Sequence, residues 1–146
     1  EVNLAMPRRV ATGVDSRRLL SILAVLEKRA GVRLGTCDVF LSAVGGFVTR
    51  EPASDLAVAM SIASAAKRVA LPSSTAFVGE VTLTGELRPP PELDRRVAEA
   101  ARLGFKEIVL PAKSASANRG TARSVPSGID ILNTKSIIDC VQKYIR

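Results

Sequence analysis

Residues 38–64 read DVFLSAVGGFVTREPASDLAVAMSIAS, and the order of patterns in this stretch decides the fold class. With Cys37 included, the run CDVFLSAV (37–44) predicts a strand with Val39, Leu41 and Ala43 on one face. Gly45-Gly46 breaks it. Pro52 suits the first turn of a helix, and the alanine-rich run carries that helix to about Val69. Alanine on its surface lets a neighbouring element approach the backbone closely. A strand that passes through a glycine break into a helix is the unit from which α/β layers are built.

The flanking sequence extends the alternation. Residues 2–5 read as the end of a strand and Met6 to Val14 as a loop containing Pro7, Arg8 and Arg9. Asp15 is placed to cap a helix that runs to about Ala30 and closes at Gly31. Leu19, Ile22, Leu23 and Leu26 form its apolar stripe. After the second helix, 75–81 and 85–88 predict strands around a Thr84-Gly85 turn. A third helix is expected from Glu92 to Leu103, with Leu93, Val97 and Ala100 inward and Arg95, Glu99 and Arg102 outward. A strand at 107–110, a polar loop at 112–127, a short strand at 129–132 and a helix from Lys135 to Tyr144 complete the chain. The expectation is one α/β domain over 1–146.

Composition narrows the chemistry. Histidine is absent, which excludes a Ser-His-Asp triad, a Cys-His dyad and a histidine-ligated zinc site. Cys37 and Cys140 lack CxxC spacing and are read as small buried hydrophobes rather than a disulfide. No apolar run approaches the ~18 residues that span a bilayer, so a soluble domain without membrane contact is expected. The 146 residues carry 21 basic and 14 acidic side chains, a net charge of +7. Arginine dominates the basic set, and its planar fork suits phosphate. The densest basic segment holds Arg8, Arg9, Arg17, Arg18, Lys28, Arg29 and Arg33. Arg17 and Arg18 open a helix whose amides also favour anions, so this segment is the candidate DNA-binding surface. Ion pairing within the protein is the competing use of the same arginines. Few aromatics are available for stacking on bases, so contact independent of sequence is expected.

Three stretches, PRRVATGVDSRRLLSILAVLEKRAGVRL (7–34), residues 38–64 and GEVTLTGELRPPPELDRRVAEAARLGF (79–105), resemble in order the C-terminal domain of the DNA repair proteins RadA (Sms). That domain is similar to the proteolytic domain of Lon, whose fold is shared with domain 2 of ribosomal protein S5. The resemblance therefore implies a Lon-protease-like, S5 domain 2-like α+β fold. Lon-type proteases use a serine-lysine dyad, which needs no histidine. In Lon the serine follows Gly-Pro within GPSAG. The matching stretch here is Glu51-Pro52-Ala53-Ser54-Asp55, which puts Ala53 at the nucleophile position. Ser54 lies one residue, about 100°, further round the helix. The Lon lysine aligns with Asp94 in Pro91-Glu92-Leu93-Asp94-Arg95-Arg96. Both dyad positions are thus degenerate, and no peptidase activity is expected.

Among the remaining polar candidates, Lys106 and Lys113 read as solvated, Ser61 and Ser64 as packing residues of the second helix, and Glu80 as a structural carboxylate. The resemblance implies a scaffold and DNA-contacting domain in a ring-forming, RecA-like DNA-dependent ATPase that moves single-stranded or branched DNA in recombinational repair. A hexameric ring and a recombinase are the partners it brings to mind. ATP and zinc would belong to domains upstream, since no GxxxxGK[ST] loop occurs here; no cofactor or metal is expected in this domain. The implied compartment is the cytoplasm of a bacterium, or a chloroplast or mitochondrion in a plant. Two alternatives stay open: an active serine-lysine peptidase using another serine, and a pure oligomerisation module.

Overall fold

The computed structural model describes residues 6–112 and 126–145. The strand end expected at 2–5, Lys113 and most of the 112–127 loop lie outside the described residues.

A three-stranded parallel sheet of order β3-β6-β7 supports the core: β3 (Thr75–Phe77), β6 (Glu107–Pro111) and β7 (Asp130–Thr134). A parallel sheet is buried on both faces and reads as a continuous apolar run, which is what Ile108-Val109-Leu110 supplies. Alternate residues of β6 serve different cores, because successive side chains point to opposite faces. Val109 joins the larger cluster, with Leu19, Ile22, Leu26, Leu56, Met60 and Ile137. Ile108 and Leu110 join a smaller one under α3 (Leu93–Arg102), with Val97, Ala100 and Ile129.

The larger cluster is roofed by α1 (Ser16–Lys28), α2 (Asp55–Lys67) and α4 (Ile137–Tyr144). The expected stripe of α1 is buried, with Val25 added. Asp15 caps it by accepting from the amides of Arg17 and Arg18 at 2.8 and 3.1 Å. Those bonds hold the Asp15 carboxyl below its ordinary range. On α2, Ala59 and Ala63 are fully buried and the helix packs against both α1 and α4. No helix among the described residues is long and apolar enough to cross a membrane.

Four expectations are corrected. The loop assigned to Met6–Val14 contains β1 (Arg9–Thr12), paired in parallel with β2 (Val39–Ser42). The partner lies about thirty residues along the chain, so no local signal marks so short a strand. The strand expected over 75–81 is two. β3 pairs with β6, whereas β4 (Glu80–Val81) turns into a hairpin with β5 (Leu87–Arg88) around Gly85. Gly79 makes the change of sheet: its amide donates to the Ala53 carbonyl and its carbonyl accepts from Leu56. A side chain there would press on Pro111. Glu92 is outside α3, in the left-handed region at φ 55°. Lastly, Cys37 is exposed; only Cys140 is buried.

One buried charge ties these parts together. Asp55, 1% exposed at the first position of α2, accepts from the Arg18 guanidinium through both carboxylate oxygens and from the Val81 amide at 3.0 Å. Arg18 also reaches Glu80 at 3.5 Å. Helix α1, helix α2 and strand β4 therefore meet on one carboxylate.

Removing one partner of a buried pair leaves an uncompensated charge, at a cost of about 3–5 kcal/mol. Since Arg18 is partly exposed, water will offset some of this, and Arg18→Ala is expected to lose about 2–3 kcal/mol in urea unfolding. Arg17→Ala, next to it but exposed, should stay within about 0.5 kcal/mol. The thiols give a second test. Burial pushes the Cys140 thiol up to about 11, so near neutral pH it holds almost no reactive thiolate. Ellman's reagent should titrate Cys37 in the folded protein and Cys140 only after denaturant is added.

Candidate functional site

A short 3₁₀ turn, Pro52–Ser54, leads into α2. It carries the position aligned with the Lon nucleophile. Ala53 is buried, and its carbonyl is fixed by the Gly79 amide at 2.9 Å. On one side the turn faces a groove of about 640 Å³ whose lining includes Ala53, Ser54, Phe77, Arg95, Arg96 and Glu99. Arg96 closes on the turn through Glu51 at 2.7 Å. The structure thus brings Ala53 and α3 to one groove, but it does not bring Asp94 there. The groove-lining positions on α3 are 95, 96, 99 and 100, at helical spacing, with Glu92 and Leu103 flanking the helix. Asp94 is turned about 100° from Arg95 and is half-buried outside the lining.

No nucleophile-base pair exists among the residues lining the groove. Ser54 donates to the carbonyl of Glu51 at 2.8 Å. A carbonyl oxygen takes up no proton at neutral pH, and no lysine lines the groove among the described residues. Ser61 and Ser64 likewise donate to backbone carbonyls, of Ala57 and Val69. Glu80 is engaged by Arg18, as a structural carboxylate would be. Lys106 is exposed. No group of metal-ligating side chains occurs among the described residues.

The candidate DNA-binding residues do not form one patch. Arg8 is held by Asp38 through its backbone amide and two guanidinium nitrogens, at 2.6 to 2.9 Å, and lies 5.2 Å over the Phe40 ring. The Arg8 bonds keep the Asp38 carboxyl below its ordinary range. Arg9 donates to the carbonyls of Cys37 and Leu34, stitching β1 to the turn before β2. Arg18 serves Asp55, and the hydrogen bond it donates to that carboxylate raises its own already high pKa further. Arg17 differs: its side chain is 94% exposed, with only Asp15 at 3.9 Å. Lys28 and Arg29 are exposed, but they sit at the far end of α1, about 18 Å from Arg17 at 1.5 Å per residue. Of the α1 N-terminal amides expected to favour an anion, those of Arg17 and Arg18 are already bonded to Asp15.

Two residues of consequence escaped the sequence reading. Asp55 looked like an ordinary first-turn acid, and only the chain crossing at residue 81 makes it central. Arg50, outside the basic segment, lines a second cavity of about 350 Å³ together with Arg17 and Arg18. Nothing short of the fold places residue 50 beside residue 17.

Comparison with known proteins gives this geometry a family. Residues 47–114 match the family described as subunit ChlI of Mg-chelatase. Proteins named DNA repair protein RadA are similar over far more of the chain. The one from Halalkalibacterium halodurans is 40% identical over 93% of this chain and 29% of its own length. That of Rickettsia bellii is 48% identical over 73% and 24%, and that of Escherichia coli 35% over 97% and 29%. The chain therefore spans less than a third of these curated relatives. Over nearly its whole length it is homologous to a domain-sized segment of the RadA DNA repair proteins, and it is a domain of that family.

Proposed function

We propose that this chain is the non-proteolytic, Lon-like domain of a RadA-type DNA repair protein, with the S5 domain 2-like fold, serving as scaffold and DNA-contacting surface. The observation that carries the first half is the groove beside Ala53. The segment matched to a serine-protease nucleophile holds a buried methyl group, its neighbouring serine is spent on a carbonyl, and no lysine lines the groove among the described residues. Hydrolysis through such a groove lacks its nucleophile and its base, and losses of that kind amount to several orders of magnitude in rate.

The homology supports the second half. RadA relatives are named for DNA repair, and a domain with a net charge of +7 is attracted to a polyanion. In this reading the complete protein is a DNA-dependent ATPase that assembles as a hexameric ring and drives branch migration on single-stranded or branched DNA, with a recombinase among its partners. ATP and zinc belong to parts outside this chain. A bacterial cytoplasm is the matching compartment, the named relatives being bacterial.

The expected outcome is that the purified chain neither turns over casein nor reacts with a fluorophosphonate probe. Labelling that disappears in Ser54→Ala would make it an active peptidase and end this reading. Fluorescence anisotropy with labelled single-stranded DNA should show binding that weakens steeply with salt, since the attraction is to phosphates. Self-association without DNA binding would leave only the oligomerisation role.

A further inference from the structure

The cavity between the start of α1 and the turn that leads into α2 was singled out by neither sequence nor homology. Its volume, about 350 Å³, is at the small end of ligand sites. It is lined by Asp15, Arg17, Arg18, Arg50, Glu51 and the hydroxyl residues Ser21 and Ser54, among others. What each of these groups is already doing decides what the cavity is able to hold.

Most are occupied. Arg18 is bound to Asp55 and Glu80. Glu51 is bound to Arg96 at 2.7 Å. Ser21 and Ser54 donate their protons to the carbonyls of Arg17 and Glu51. Asp15 accepts the amides of Arg17 and Arg18, so these two amides of the helix end are taken. Two guanidinium groups remain. Arg17 is almost wholly exposed, and Asp15 approaches it only to 3.9 Å. Arg50 is exposed and makes no hydrogen bond or ion pair with a described residue, feeling Asp15 only at a distance. After these pairings the notch keeps one more guanidinium than carboxylate; its free charged donors are Arg17 and Arg50, and the hydroxyl of Thr49, which accepts from the Glu51 amide at 3.3 Å, is a neutral one.

The geometry points to a phosphodiester-binding notch whose contacts are Arg17 and Arg50. This rests on the reading that the domain contacts DNA and relocates the contact. Of the four arginines at the start of the chain only Arg17 takes part, and Arg50, from a different segment, is its partner. Arginine forks match phosphate oxygens in pairs. Contacts to phosphate carry no base information, so the notch is blind to base sequence.

The test is anisotropy of labelled oligo-dT on the chain over a series of KCl concentrations, with Arg17→Ala, Arg50→Ala, the double variant and Lys106→Ala. The replaced side chains are exposed, and thermal melting will verify that each variant folds. Each notch substitution should lower the slope of log affinity against log salt by about 0.7, the value for one phosphate on a single strand. Lys106→Ala should leave it unchanged, and oligo-dA should behave as oligo-dT. If the wild type binds and the double variant keeps its slope, the notch is wrong while DNA contact stands. If the wild type binds at no salt concentration, both readings fall together. Pyrophosphate is the separate arm: if it shifts the Arg17 and Arg50 side-chain NMR signals at concentrations where oligo-dT does not, the notch serves a free anion and the assignment to DNA is overturned.

Discussion

The carboxylate of Asp55 is the constraint on which the rest of the arrangement hangs. An isolated charge taken out of water costs several kcal/mol even after relaxation, so a side chain this deeply buried is tolerated only where its lone pairs are met. Arg18 meets them from α1 with two nitrogens and Val81 from β4 with its amide. Each donor has a fixed place of its own. Arg18 lies three residues beyond the cap Asp15, so the start of α1 sets the reach of its guanidinium. The Val81 amide lies two residues past Gly79, whose own amide and carbonyl bond to Ala53 and Leu56. Residues 79–81 thus run along the first turn of α2 on three hydrogen bonds, one to a side chain and two to backbone. A shift of the α1 start, of the 3₁₀ turn or of β4 would unmake the others.

That arrangement explains why the groove beside Ala53 keeps its shape. Ala53 has a structural part of its own. Its carbonyl is the acceptor that fixes Gly79, and Gly79 is where the chain leaves the β3-β6-β7 sheet for the β4-β5 hairpin. The turn is therefore needed for folding whether or not its side chain does chemistry. Arg96, reaching from α3 to Glu51 and to the Pro91 carbonyl, braces the opposite wall.

The same distinction between local and long-range constraint marks what the sequence discloses. The three long helices were legible because a 3.6-residue stripe and a capping acid are local signals: Leu19, Ile22, Leu23 and Leu26 are buried as expected, and Asp15 caps as expected. The buried run of β6 and the turn at Gly85 were legible for a similar reason. β1 was not, because a four-residue strand takes its identity from pairing with residues 39–42. The division of 75–81 was not, because Gly79 obeys a contact with residue 53. Within the site, the burial of Ala53 and the position of Asp94 outside the groove lining came only with the fold, which sets the phase of α3 against the turn at 52–54. Which arginines were free was illegible altogether, since each partner sits far off in sequence: Asp38 for Arg8, the Leu34 carbonyl for Arg9, Asp55 for Arg18.

This allocation changes how the net charge should be understood. Arg8 with Asp38, Arg18 with Asp55 and Glu80, Arg95 with Glu92, Arg96 with Glu51 and Arg102 with Glu99 are matched locally. Four of these pairs are neutral and Arg18 with its two carboxylates is net negative by one, so as a set they add nothing to the positive field. The positive excess therefore resides on the basic groups without a short partner among the described residues, such as Lys28, Arg29, Arg33, Arg50, Lys67 and Arg68, together with Arg17. Some come from the first basic segment, residues 17–33, and others from residues 50–68. Such an excess draws a polyanion but holds it nowhere in particular, for beyond a Debye length, about 8 Å at physiological salt, exposed charges are largely screened. Position must come from short contacts, and short contacts need guanidinium groups that are both free and confined. A chain that commits half of its described arginines to its own fold has few such places, so the value of each arginine to a partner is set by the carboxylates that the fold leaves near it.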